Sequence, residues 1–219
     1  MFVALYLKVL FMQPESNTES LEALKEIRSI MDRSARFISL SGWSGIWAGA
    51  TALVGAYIAY GWIKAPGFGG YWDTVDSYIH VVPKLLLLAF LVFAVALAGG
   101  FFFTYRKASR QGHKLWNNAS RQMLFALFFP MFVGGVFCLG FINYGCELFI
   151  APACLAFYGL ALIGASRHTL SDIKYLGILE VLLACANLFL PGHGIYFWAF
   201  GFGVLHILYG IFMWNKYDK

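Results

Sequence analysis

The sequence predicts an all-α protein, a polytopic membrane bundle of six transmembrane helices over residues 37–219, preceded by a cytoplasmic amphipathic helix at residues 16–36. Three observations carry this prediction. The chain is 60% hydrophobic and only 12% charged, with a mean hydropathy of +0.69. A soluble domain of this size needs a polar exterior, whereas in a bilayer the apolar residues can face acyl chains. The apolar residues also gather into six long runs, and the basic residues fall between those runs on alternating sides.

Residues 1–15 are expected to be a disordered or surface-lying N-terminal segment. Their apolar stretch is too short to span, and it lacks the basic start and small-residue cleavage site of a signal peptide. The alternative is that translation begins at Met12. Ser16 and Glu19 have the spacing of a capping box, after which Leu21, Leu24, Ile27 and Ile30 or Met31 recur at helical spacing. Arg28, Asp32 and Arg36 follow at the i,i+4 spacing of ion pairs. An apolar stripe beside basic residues suits a helix lying in an anionic headgroup layer, or one engaging a partner protein.

The six runs cover residues 37–60, 83–105, 123–142, 148–165, 175–190 and 195–214. Barrel strands would alternate and be about half as long, so helices are expected. The fifth run is the shortest and contains Glu180. Thirteen of the sixteen Lys and Arg residues fall within residues 16–36, in every second connection and after the last run; only Lys64 and Lys84 fall on the other side, and Lys8 lies in the N-terminal segment. By the positive-inside rule both termini are therefore cytoplasmic. Trp62, Tyr71, Trp72 and Tyr78 would anchor the outer boundary, and Trp43, Trp116, Tyr175, Trp214 and Tyr217 the inner one.

A net charge of +5 does not signal nucleic acid, because the basic residues are not collected on one soluble surface. Anionic lipid headgroups at the cytoplasmic face are the expected partner, with a homo-oligomer or a protein partner left open. Cys138, Cys146, Cys154 and Cys185 have no CxxC spacing and read as small packing residues, with a disulfide at Cys146 as the alternative. Ser41, Gly45 and Gly49 make successive small-xxx-small steps, which suit close helix packing within the chain or a homodimer seam. Gly134, Gly135 and Gly159 read similarly.

Chemistry is expected where ionisable groups enter the bilayer. Glu180 lies eleven residues before the turn that begins at Pro191, and His206 lies twelve after Gly194, so both reach a similar depth, about 16–18 Å from the turn. Gly177, Glu180, Ala184 and Asn187 share one stripe, and Ala199, Gly203, His206 and Gly210 share another. The candidate intramembrane polar site is Glu180, His206, Asn187 and Tyr209, with Gly177, Gly203 and Gly210 as packing positions. Facing stripes would form a proton- or cation-binding seam, or a polar clasp that holds the hairpin together. Asn187 lies near the level of Trp198, which allows an amide-to-indole bond.

A weaker expectation concerns the outer loops. Asp73, Asp76 and His80 fall at i, i+3 and i+7, and Glu147 and His193 could complete a divalent-metal site if these segments converged. Solvated loop residues are the alternative. No cofactor is called for: only His206 lies inside a run, so a bis-His haem has no second ligand. No HExxH, GxSxG or P-loop motif occurs, so the reading leans away from an enzyme.

The stretches Arg36-Phe37-Ile38-Ser39-Leu40-Ser41-Gly42, Tyr158-Gly159-Leu160-Ala161-Leu162, Tyr175-Leu176-Gly177-Ile178-Leu179-Glu180 and Gly201-Phe202-Gly203-Val204-Leu205-His206-Ile207-Leu208-Tyr209-Gly210 resemble a group of uncharacterised bacterial six-helix membrane proteins. The resemblance covers most of the chain. It implies a bacterial inner-membrane location and places Glu180 and His206 in recurring motifs, but it implies no activity. Two functions follow as expectations. One is a small transporter or channel component moving a proton, small cation or small solute through the seam between the last two helices. The other is a non-transporting sensor, scaffold or partner subunit acting through residues 16–36.

Overall fold

The computed structural model describes residues 21–25, 27, 41–64, 75–111 and 116–219, with backbone alone at 64 and 75–80. The chain divides into two units, Met1–Arg36 and Phe37–Lys219. In the first, residues 21–25 and 27 are helical, and Leu21, Leu24 and Ile27 are each more than half exposed. The expected capping box at Ser16 and the ion pairs from Arg28 to Arg36 lie outside the described residues.

The second unit is a bundle of helices, with no strand among the described residues. We label them α1 (Gly42–Lys64), α2 (Val75–Arg110), α3 (Asn118–Asn143), α4 (Ile150–Ala165, entered through a 3-10 turn at Glu147–Phe149), α5 (Ile173–Leu188) and α6 (Gly194–Tyr217). Within α6, Gly194–Trp198 and His206–Tyr217 are α-helical, and Ala199–Leu205 is a π-helix. Helix ends differ from the apolar runs because hydrophobicity marks lipid depth rather than hydrogen bonding. Thus α2 begins eight residues before Pro83, in the segment expected to be a loop. The start of α3 is set by a capping box: Asn117 Oδ1 accepts from the Ser120 amide at 2.8 Å, and Ser120 Oγ accepts from the Asn117 amide at 3.0 Å. Gly145 and Gly192, both at positive φ, allow the tight turns after α3 and α5.

Five helical stretches are long and apolar enough to cross a membrane: Gly42–Ile63, Val81–Arg110, Asn118–Asn143, Glu147–Ala165 and Gly194–Tyr217. The protein is an all-α membrane helix bundle. The remaining helix, α5, has 16 residues, about 24 Å of rise, and falls short of that length.

Small residues set the packing. α1 lies against α6, where a Cβ on Gly49 would stand 2.6 Å from the Gly203 carbonyl oxygen and one on Gly210 2.6 Å from the Ile46 nitrogen. Gly45 approaches Gly210 and the His206 carbonyl in the same way, and Ser41 is buried at the N-terminal end of this seam. The Ser41, Gly45 and Gly49 stripe thus serves packing inside the chain. A second seam joins α4 to α5, where Gly159 and Gly177 each face the other's carbonyl oxygen, with added Cβ atoms at 2.6 Å. Gly134 of α3 receives Phe157 of α4, whereas Gly135 faces open space. On the far side of α1, the Trp47 indole fits over Gly99 of α2 and donates to the Val95 carbonyl at 3.0 Å.

These contacts correct one expectation. The Gly177 and Gly203 stripes do not face each other: Gly177 meets α4, and Gly203 meets Leu53 and Gly49 of α1. Consecutive antiparallel helices were expected to pair closely, but the small residues of α5 and α6 have better-matched grooves on α4 and α1.

The C-terminal end ties several helices together. Asp218 Oδ2 accepts from the Gly42 amide at 2.8 Å and from Ser41 Oγ at 3.0 Å, while Oδ1 pairs with Lys107 of α2 at 2.6 Å. A carboxylate against the first amides of α1 satisfies donors that the helix leaves free and complements its dipole. Asp172, just before α5, receives Lys216 Nζ at 2.6 Å and the Tyr217 hydroxyl at 2.9 Å. Lys216 holds the Asp172 carboxyl below its ordinary range, with the Tyr217 bond adding to this against the effect of burial.

Candidate functional site

Glu180, on the third turn of α5, is completely buried, and neither carboxylate oxygen has a hydrogen-bond partner. Room for it comes from α6, because a Cβ at Gly201 would lie 2.5 Å from Glu180 Oε2 and 2.5 Å from Leu155 Cδ2. His206, the first residue after the π-helix and 6% exposed, brings Nδ1 to 3.5 Å from Glu180 Oε1. The structure therefore brings Glu180 and His206 together, through Gly201 rather than through a broad contact between their helices.

The protonation pattern of the imidazole follows from its partners. His206 Nδ1 is 3.0 Å from the Gly201 carbonyl oxygen, which can only accept, so Nδ1 carries a proton. In a neutral ring Nε2 then accepts, and the Tyr158 hydroxyl, 2.8 Å away, donates to it. Tyr158 comes from α4, so three helices meet at this point. Phe202 stacks beside the His206 ring and also touches the Tyr158 ring, closing the cluster on its aromatic side.

The other sequence-predicted positions surround this centre without joining its hydrogen bonds. Asn187 is buried two turns along α5, and its amide nitrogen has no partner. The expected bond to Trp198 does not form; that indole lies against Phe202. The Tyr209 hydroxyl is buried and unpartnered, and its ring packs on the cluster of Leu162, Leu170, Ile173, Leu176 and Met213. Buried polar atoms without partners cost on the order of 1–3 kcal/mol each.

Of the outer-loop metal candidates, Asp73 lies outside the described residues, and Asp76 and His80 are placed by backbone alone, in the first turns of α2. Glu147 stands in the 3-10 turn before α4 with Oε1 buried and unpartnered. His193 lies in the turn before α6, its Nδ1 3.3 Å from the Pro191 carbonyl. Among the described residues no three His, Cys, Asp or Glu side chains gather as a metal site. A groove of about 350 Å³ lined by Trp62, Lys84, Leu87, Leu88 and Leu91 includes none of the candidate residues.

Tyr158 and Gly201 were not singled out from sequence. A depth signal for Tyr158 was present: it stands seven residues before the end of α4, and Glu180 stands seven after the start of α5. Two antiparallel helices joined by a short connection put such residues at one level. Nothing in the sequence marks Gly201 off from its neighbour Gly203.

Comparison with protein-family models, with curated proteins and with solved structures returns no match.

Proposed function

We propose that this membrane protein is a small transporter or channel component that moves a proton or small cation, with Glu180 as its ion-binding group. The observation that carries this reading is a completely buried carboxylate with both oxygens unpartnered, 3.5 Å from an imidazole. Ionisable groups at membrane depth are costly and are retained chiefly where an ion or proton is handled. A hydrogen-bonded clasp would have used those oxygens.

The same reading makes α5 the sixth crossing. Its Gly159 and Gly177 contact sets it alongside α4, and the alternation of Lys and Arg across every connection supports six spans with both termini cytoplasmic. The bacterial inner membrane as location rests on the sequence resemblance. Anionic headgroups on the basic face are the proposed lipid partner.

Purified protein in liposomes tests this function. Wild type should dissipate an imposed proton or cation gradient, and Glu180→Gln should reduce the flux by at least about tenfold. Wild-type vesicles as tight as protein-free ones under every gradient would sink the proposal.

The exposed Leu21, Leu24 and Ile27 favour a second reading, in which the N-terminal helix docks on the membrane surface or on a partner protein. Leu24→Glu would then release a tethered reporter from membranes or partner without altering flux.

A further inference from the structure

Resting on the reading of Glu180 as the ion-binding group, we propose that Glu180 exchanges its proton with the Asp172 end of the bundle, through His206 and Tyr158, with Tyr209 next in line.

Spacing separates the two ends. Toward Pro191, the next buried polar group on α5 is Asn187, seven residues and about 10 Å from Glu180, with buried Ala184 between them. Toward Asp172, Tyr209 follows His206 by three residues, about 4.5 Å of rise, on the same helix face. Tyr158, Tyr209 and Tyr217 all pack against one apolar cluster, in which the Tyr209 hydroxyl is buried without a hydrogen-bond partner of its own. The Tyr217 hydroxyl donates to Asp172, whose other partner, Lys216, is about half exposed. Three tyrosines on one cluster therefore lie between the buried carboxylate and a charged pair at the end of the bundle, with the Tyr209 hydroxyl unpartnered between two bonded ones.

The transfer balances as follows. In the unloaded state Glu180 is a carboxylate, His206 Nδ1–H donates to the Gly201 carbonyl, and Tyr158 O–H donates to Nε2. A proton from water at the Asp172 end passes by way of the Tyr209 hydroxyl to the Tyr158 oxygen. As the new O–H bond forms on Tyr158, its original proton moves to Nε2, and the Nδ1 proton moves to Glu180 Oε1. Glu180 is now a carboxylic acid whose O–H donates to Nδ1, the Gly201 carbonyl has lost its Nδ1–H donor, and Nε2–H donates back to the Tyr158 oxygen. One proton has been taken from solution, the ring has changed tautomer, and release runs the same steps in reverse.

Infrared difference spectroscopy of the full chain in liposomes tests the route. The carbonyl stretch of protonated Glu180 is the band that Glu180→Gln removes, and its shift after a switch from H2O to D2O reports proton exchange. Tyr158→Phe and Tyr209→Phe should each slow that shift by about a hundredfold. Tyr209 is only partly buried, so its variant keeps the test alive if Tyr158→Phe does not fold. Wild-type exchange rates in folded Tyr variants would overturn the route. So would slowing by Asn187→Leu alone, or the lack of any band that Glu180→Gln removes. Flux in the same liposomes separates this from the parent reading. Tyrosine-dependent exchange without flux sinks transport and leaves the relay, while Glu180-dependent flux that survives both Tyr→Phe changes does the opposite.

Discussion

At Gly201 the absence of a side chain is what admits the Glu180 carboxylate, since an added Cβ would meet both Oε2 and Leu155 at 2.5 Å. Gly201→Ala should therefore push the carboxylate off His206 and lower stability by about 1–3 kcal/mol, read as a fall in thermal midpoint in detergent. An unchanged midpoint would mean that Glu180 leaves its seat at no cost. The Asp172 carboxyl offers a pH signature outside the bilayer. Its folded value is lowered by Lys216, so its contribution is complete above the ordinary aspartate value, about 4, and disappears as pH falls through the lower folded value. Acid titration of stability should show this loss in wild type, and Asp172→Asn should flatten it. Sequence exposes these residues unevenly. Glu180 and His206 stand out because each is an ionisable group inside an apolar run. Tyr158 carries a polar tip on an apolar ring and fits its run without breaking it, so only the comparison of depths across α4 and α5 reveals its partner. Asp218 looks like a solvated C-terminal residue until folding brings α1 beside α6.

Among the helices, glycine placement decides which pairs close. Gly49 is blocked by backbone of α6, whereas Gly61, twelve residues along the same helix, has nothing within 4 Å. Gly49→Ala should consequently force α1 from α6 and destabilise by about 1–3 kcal/mol. Gly61→Ala should be neutral or stabilise by up to about 1 kcal/mol through helix propensity. Equal effects on thermal unfolding would show that propensity rather than the α1 and α6 seam governs both sites. The small-residue spacing in α1 was readable because i,i+4 repeats define a face on any helix. Its partner was not: Gly177 and Gly203 sit in similar stripes, and which groove each enters depends on side chains from four helices at once. The π-helix at Ala199–Leu205 is likewise invisible to periodicity, since seven residues of altered register between two α-helical stretches leave the apolar pattern intact.

Across the whole molecule, composition made the membrane class legible because a chain with so few charges cannot cover a soluble surface, and the structure supplies five stretches of spanning length. The sixth crossing depends on a different argument, since α5 is 16 residues long and carries Glu180. If α3 crosses, the connection between α2 and α3 and the one between α3 and α4 lie on opposite faces; if α5 crosses as well, the positive-inside alternation puts both termini on the face rich in Lys and Arg. Two thiol positions read this directly. Cys146 lies in the turn between α3 and α4, and Gln111 is exposed just after α2. In a background with the other cysteines replaced by Ser, a membrane-impermeant maleimide added to sealed, right-side-out vesicles should label Cys146 but not Gln111→Cys. Inverted vesicles should give the reverse. A third position, at the exposed residue Arg167 between α4 and α5, tests the short helix: Arg167→Cys should follow Gln111→Cys, and a reporter fused after Lys219 should share that side. If the reporter instead appears with Cys146 while Arg167→Cys stays with Gln111→Cys, α5 does not cross the bilayer, and six crossings would be wrong.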